Sequence, residues 1–303
     1  MKRSDPHSYP QIAVVIVTFN NFPIISSCLA ALKSALRNFS SQVIVVDNLS
    51  TDGTRQSLRK AQSVLGENVP FDLILNPENK GFTRAINQGL QKVKADFVLL
   101  LNPDVLLQDE TLPVLFACFE QNRTGVVAPQ MRYLQGEVQA SCRRFPRLRD
   151  VFYTAVGLSR LFPANAEFNR WKMGDFDHRS SRVVDQPQGA FLLFPTAVLH
   201  KVGLWDESFW LFFSDVDWCR RVIASGMQIY FCADTFVLHK KGDSIYRNRL
   251  YTVVSSHRSF VHYFDKTVTT SIERFGTRIV HLFLLTVCWW RLLLISIAVD
   301  RKR

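Results

Sequence analysis

Three observations predict an α/β protein built around a doubly wound, mainly parallel sheet. Short β-branched apolar runs alternate with amphipathic helical stretches over about the first 120 residues. Each run is apolar on both faces, as a strand covered by helices on either side must be. Polar side chains collect where the runs end, and ligands of such sheets sit beyond the carboxyl ends of the strands.

Taken in order, residues 12–17 are the first run and stop at Thr18-Phe19-Asn20. A helix through residues 28–36 follows, then a second run at 43–46 and a polar turn at 47–54. Residues 54–65 have helical character. Strands at 71–75 and 97–101 and helices at 82–93 and 112–119 continue the alternation. Thr18, Asn20, Asp47, Asp52, residues 76–81 and residues 102–104 therefore share one rim. From 132 to 184 the chain is rich in Arg and aromatic residues, and its weak periodicity assigns no element. Beyond it come a strand at 190–194, a short helix ending near Gly203, an acidic aromatic segment at 205–221, and two short strands at 229–232 and 236–239. Leu250, Val253, Val254, His257, Phe260, Val261 and Phe264 form one helical stripe, and residues 282–299 are apolar almost all round. The expected division is a unit at 1–245, with halves at about 11–130 and 131–245, followed by a helical extension at 246–303.

With 47% hydrophobic and 21% charged residues, the chain has apolar material for a large core, which excludes a disordered protein. Its 37 Lys and Arg against 26 Asp and Glu give a formal charge of +11. That balance implies an anionic partner: nucleic acid, anionic lipid or a phosphorylated substrate. Cys28, Cys118, Cys142, Cys219, Cys232 and Cys288 form no CxxC pair, so zinc-ribbon and dithiol chemistry are excluded and buried thiols in a reducing compartment are expected. Residues 1–10 are polar and lack the apolar core of a secretory signal, which predicts a chain retained in the cytoplasm.

Four segments carry chemistry, and each has an ordinary structural alternative. Asp47-Asn48-Leu49-Ser50-Thr51-Asp52-Gly53-Thr54 leaves a strand and opens a helix. Its carboxylates can accept from a base N–H or a ribose hydroxyl, or can simply cap a turn. Asn79-Lys80-Gly81-Phe82-Thr83-Arg84 sets a glycine turn and two cations at a helix start. Free N–H groups and the helix dipole favour phosphate there, the alternative being a solvated basic helix end. No GxGxxG occurs, so a nicotinamide-binding fold has no fingerprint. Leu101-Asn102-Pro103-Asp104 stops an apolar strand at a carboxylate that suits a hard divalent cation shared with substrate phosphates, or a plain cap. Finally, Phe212-Phe213-Ser214-Asp215-Val216-Asp217-Trp218, with His239 farther on, sets acids among large aromatic residues. Desolvation is costly there, which argues against an idle surface role, although Ser214 and Asp215 are also suited to cap a helix.

In this order the segments resemble glycosyltransferase family 2, inverting enzymes of the GT-A fold, and within it the rhamnosyltransferase-like members of cell-surface polysaccharide synthesis. The resemblance is carried by residues 14–20, 45–54, 79–90 (NKGFTRAINQGL), 99–105 (LLLNPDV), 188–195 (QGAFLLFP), 203–221 and 239–244, and spans roughly the first 245 residues. It implies that Asp47 and Asp52 contact the nucleoside, that Lys80, Gly81 and Arg84 line the phosphate end, and that Thr18, Asn20 and Asn102 complete the donor site. It further implies Mg²⁺ or Mn²⁺ at Asp104 with His239, Asp215 as the base, and acceptor contacts at Gly189, Ala190, Trp210 and Asp217. Ser214 stands where the family usually has a glutamate. The implied reaction moves a sugar, with L-rhamnose expected, from a dTDP- or UDP-linked donor to a hydroxyl of a polyprenyl-diphosphate-linked glycan.

Two other classes compete. A catalytically inactive glycan- or nucleotide-sugar-binding relative is favoured by Ser214 and opposed by Asp104, Asp215, Asp217 and His239. A nucleic-acid-binding protein would account for the charge, but no RRM, KH or helix-turn-helix signature appears, and no nucleic-acid partner is expected. For residues 282–299, length alone would allow a membrane span. Arg274 and Arg278 before the segment and Arg301, Lys302 and Arg303 after it place both ends on the cytoplasmic side. An in-plane or shallow re-entrant segment at an anionic membrane surface is therefore expected, with a core helix packed on the catalytic unit as the structural alternative.

Overall fold

The computed structural model describes residues 11–120, 123–240, 249–268 and 270–300. Residues 1–10, residues 241–244 of the segment after His239 and the basic residues 301–303 lie outside the described residues, as do the side chains of 249–251, 272 and 291–300, Leu250 and Arg291 among them.

The elements run β1 (Ile12–Thr18), α1 (Ile24–Ala35), β2 (Ser41–Asp47), α2 (Thr54–Arg59), α3 (Ala61–Leu65), β3 (Phe71–Leu75), α4 (Phe82–Leu90), β4 (Phe97–Leu101), β5 (Val105–Leu107), α5 (Thr111–Ala117) and β6 (Thr124–Arg132). Then follow β7 (Val138–Gln139), β8 (Cys142–Arg143), α6 (Leu148–Ala155), α7 (Leu158–Leu161), β9 (Arg182–Val184), β10 (Gln186–Pro187) and β11 (Phe191–Pro195). The chain closes with α8 (Thr196–Val202), α9 (Ser214–Ala224), β12 (Gln228–His239), α10 (Arg249–Thr267) and α11 (Ser271–Asp300).

Eight strands make the main path, β3-β2-β1-β4-β11-β6-β12-β5, with β7 and β9 beside it. β1 lies parallel to β2 and β4, as expected. Its pleat divides the core: Ile12, Val14 and Ile16 face α1, while Ala13, Val15 and Val17 face α4. β11 runs antiparallel between β4 and β6, which brings its leading residues Gly189 and Ala190 to the rim where β4 ends. A third apolar cluster joins Val151 of α6, Phe209, Phe213 and Val216 around α9, Tyr263 and Phe264 of α10 and Leu284 of α11.

Several elements differ from expectation. The two strands expected at 229–232 and 236–239 are one strand, β12, with an irregular register between Cys232 and Phe236. β6 was not foreseen, because Pro129 argues against a strand with neighbours on both sides, yet Pro129 sits opposite Cys232 within the parallel ladder. Helix α1 starts at Ile24, ahead of the expected residue 28, and α4 stops at Leu90. The helical stretch 54–65 is divided at Lys60 into α2 and α3. α11 runs 30 residues, about 45 Å at 1.5 Å per residue. Among the described residues no helix is long and apolar enough to cross a membrane.

Candidate active site

At the carboxyl rim of β1, β2 and β4 lies a cavity of about 540 Å³. Its floor comes from the turn after β4. Asn102 N–H donates to the Ala190 carbonyl at 2.8 Å, and Lys240 N–H donates to the Asp104 carbonyl at 3.0 Å, so the Asn102-Pro103-Asp104 turn is held from both sides. β5 pairs antiparallel with β12 in a register that sets Val105 opposite His239. Adjacency of Asp104 and His239 follows, with His239 Nε2 3.5 Å from Asp104 Oδ1. On its other side, His239 Nδ1 lies 2.7 Å from Gln139 Oε1. An amide oxygen only accepts, so Nδ1 carries a proton and Nε2 is the ring nitrogen turned to Asp104. A carboxylate and an imidazole nitrogen, both on the cavity, fit a divalent cation completed by substrate phosphates. Among the described residues no cluster of three His, Cys, Asp or Glu could hold a metal ion by itself. Burial pushes the nearby Cys28 thiol up to about 12, and the Asp104 charge adds to it.

Asp215, in the first turn of α9, also lines the cavity. Gly189 N–H donates to its Oδ2 at 3.0 Å, Gln186 Nε2 at 3.2 Å, and Val216 N–H to Oδ1 at 2.9 Å. Removal from water nonetheless pushes its carboxyl above the usual range, outweighing these hydrogen bonds. A Cβ on Gly189 would stand 2.9 Å from Asp215 Cβ, so only glycine lets the two segments approach. Phe213, just before α9, holds φ at +69°. That left-handed conformation is strained in a bulky residue and is kept by packing against Tyr263 and Phe260.

Of the expected site residues, Asn102, Asp104, Gly189, Ala190, Trp210, Asp215 and His239 meet at this cavity. Others do not. Asp47 is fully buried and accepts from Thr18 Oγ1, Ser50 N–H and Arg55 Nε, so it braces the loop that follows β2. Thr18 is likewise consumed by that contact. Asp52 accepts from the N–H groups of Phe22 and Thr54, the capping role. Asn20 accepts from Thr51 N–H. Arg84 is paired with Glu207 at 3.2 Å. At the start of α4, the N–H groups of Phe82 and Thr83 point to the Trp210 carbonyl at 2.9 and 3.5 Å, and the Trp210 ring closes over Gly81. Gly81 therefore lies behind Trp210, and neither it nor Lys80 lines the cavity. Asp217 faces away from the cavity, paired with Arg221 at 3.0 Å and Lys266 at 2.7 Å.

No role was expected of Asn21, Asn48, Gln188 or Gln139, and Asn79 was expected only as part of the rim at 76–81. All but Gln139 line the cavity. Asn48 accepts from Lys80 N–H and donates to the Gly81 carbonyl, tying the loop after β2 to the loop before α4. Its position directly after Asp47, at a strand end, was the available signal.

Fold and site together define a glycosyltransferase of the GT-A type. The chain belongs to the family described as Glycosyltransferase like family 2, whose model matches residues 10–280. It is 28% identical over 261 residues, 82% of each chain, to the N-acetylglucosaminyl-diphospho-decaprenol L-rhamnosyltransferase of Mycobacterium tuberculosis. Among solved structures it resembles the mannosyltransferase PcManGT of Pyrobaculum calidifontis in complex with GDP-Man and Mn²⁺, with TM-score 0.59, 17% identity, and 98% of this chain and 76% of that one covered. It also resembles Staphylococcus aureus TarS 1–349 in complex with UDP, with TM-score 0.54, 16% identity, and coverage of 87% and 68%. At those identities the structural likenesses establish the fold.

Proposed function

We propose that the protein is an inverting, metal-dependent transferase that moves L-rhamnose from a dTDP- or UDP-linked donor to a hydroxyl of a polyprenyl-diphosphate-linked glycan. One observation carries this reading: the Asp104–His239 pair and the raised carboxyl of Asp215 open onto the same cavity. The Mycobacterium tuberculosis relative named for a GlcNAc-diphospho-decaprenol acceptor supports the substrate class. Asp104 and His239 Nε2 would hold Mg²⁺ or Mn²⁺, whose charge offsets that growing on the departing diphosphate. Asp215 takes the proton of the acceptor hydroxyl as that oxygen attacks the anomeric carbon from the face opposite the leaving group. A single displacement inverts the configuration. Gly189 and Gln186 orient the Asp215 carboxylate and keep one oxygen in register with the acceptor.

A panel of dTDP-, UDP- and GDP-sugars offered with a short polyprenyl-diphosphate GlcNAc acceptor tests the reading. Transfer from dTDP-rhamnose with inverted product and loss on chelation is expected. Asp104→Ala should remove the Mn²⁺-dependent part of donor binding in calorimetry; unchanged affinity rules out its metal role.

The reading includes attachment to the cytoplasmic face of the membrane through α11. Its support is an exposed apolar stripe that includes Trp289 and Trp290, together with arginines at 274 and 278.

A further inference from the structure

Outside the cavity, the surface departs most from the ordinary in its apolar content. On α11, Phe275, Ile279, Leu282, Leu285, Trp289 and Trp290 are each 57–67% exposed, while Thr277 and Leu284 on the opposite face are buried. A second exposed group comes from a distant part of the sequence: Phe152 and Val156 at the end of α6, then Leu161 and Phe162 at the end of α7, the last two 70% and 51% exposed. The groups adjoin, because α6 packs along α11 with the rings of Phe152 and Phe283 5.4 Å apart. Contiguous apolar surface of this kind marks a partner.

The charge beside it selects which partner. Arg147, Arg160, Arg274 and Arg278 are exposed around the two groups, and Arg149 is held by Glu167 at 3.0 Å. Phe, Leu and Trp flanked by arginines match a bilayer whose headgroups are anionic. Phe213, on the cavity wall, shares an apolar cluster with Val151 of α6 and Leu284 of α11, so cavity and surface are joined through one packed layer.

We propose that residues 148–162 form a second membrane-contacting element, which shares one apolar platform with α11 and takes anionic phospholipid headgroups on its arginines. This rests on the membrane attachment inferred above. A single amphipathic helix can roll on a surface; a second contact far away in sequence fixes the tilt, and with it the height at which the cavity meets a lipid-linked substrate.

Flotation of the full-length protein with phosphatidylcholine vesicles, with and without phosphatidylglycerol, tests this for wild type, Leu161→Asp/Phe162→Asp and Trp289→Asp/Trp290→Asp. All four positions are exposed, and unchanged thermal melting confirms the fold of each variant. Each double variant should weaken binding to anionic vesicles at least about tenfold. A bimane label on Leu161→Cys, in a Cys288→Ser background, should shift to the blue when vesicles are added. If only the α11 variant loses binding and the label stays in water, the second contact is wrong while membrane attachment stands. Wild type that does not float overturns both. A blue shift that follows protein concentration without vesicles assigns the face to a second copy of the chain and overturns the proposal.

Discussion

Asp215 must be ionised to accept a proton, and burial works against ionisation while three hydrogen bonds work for it. If Asp215 is the proposed base, it acts deprotonated, and with its pKa raised the acidic limb of the rate profile should lie above the usual aspartate range. Gln186→Leu removes one hydrogen bond that favours the charged form, so the limb should move to still higher pH; a limb that moves down contradicts the assignment. Asp215→Asn should keep donor affinity while transfer falls at least about a hundredfold. Gln139 acts one step back from the chemistry. Fully buried, it holds His239 Nδ1, so Gln139→Leu should weaken Mn²⁺ binding, measured by electron paramagnetic resonance, by about 10–100-fold. Asp104 drew notice as a carboxylate after an apolar strand, Asp215 as an acid among large aromatic residues and His239 through the family resemblance, and all three line the one cavity. Asp217 was misplaced for a geometric reason: two residues along a helix turn a side chain to the far face, so Asp215 and Asp217 cannot both reach the cavity. Gln139 was invisible because its strand has two residues in an aperiodic stretch.

At the scale of elements, the parallel strands were legible from continuous apolar runs, whereas β11's reversal was not, since direction leaves no mark on an apolar pattern. The start of α11 had a readable signal that went unused: Thr270 and Glu273 form a reciprocal cap, with Thr270 N–H donating to Glu273 Oε2 and Glu273 N–H to Thr270 Oγ1. α10 is fastened to the catalytic unit by Lys266, whose Nζ lies 2.7 Å from both Asp206 and Asp217. Partial burial lowers the ammonium's pKa, but the two carboxylates prevail and raise it. Lys266→Met should therefore lower stability by on the order of 1 kcal/mol, read as a drop of a few degrees in Tm. Gly81, with φ at +82° and the Trp210 ring 2.7 Å from where a Cβ would stand, is the stricter position. Gly81→Ala should cost about 1–3 kcal/mol in denaturant melts and weaken donor binding as the Trp210 segment is displaced. A variant as stable as wild type would show that the segment yields easily.

Across the whole molecule, the +11 charge and the exposed apolar face should act together. Attachment to anionic vesicles should weaken as salt rises from about 0.1 to 1 M, where screening shortens from about 10 to 3 Å. A residual, salt-resistant fraction is expected from the apolar contacts; complete release by salt would leave charge alone as the adhesive. The family match continues to residue 280, through α10 and into α11, past the boundary drawn at 245.

The Trp210 carbonyl that receives Phe82 and Thr83 N–H has a bearing on timing. One residue serves both as a wall of the cavity and, through its carbonyl, as the N-terminal cap of α4. Were the Trp210 segment to swing out as the proposed glycan product leaves, it would give up those bonds at about 0.5–1.5 kcal/mol each and uncover Gly81. The catalytic clock would then be set by a hinge, and bond breaking would run ahead of departure. Mixed rapidly with both substrates, the enzyme should form its first equivalent of product in a burst and then slow to a steady rate. Trp210→Ala, which keeps the carbonyl but removes the ring, should shrink that burst by hastening release; a linear first turnover in wild type would place the slow step in the chemistry.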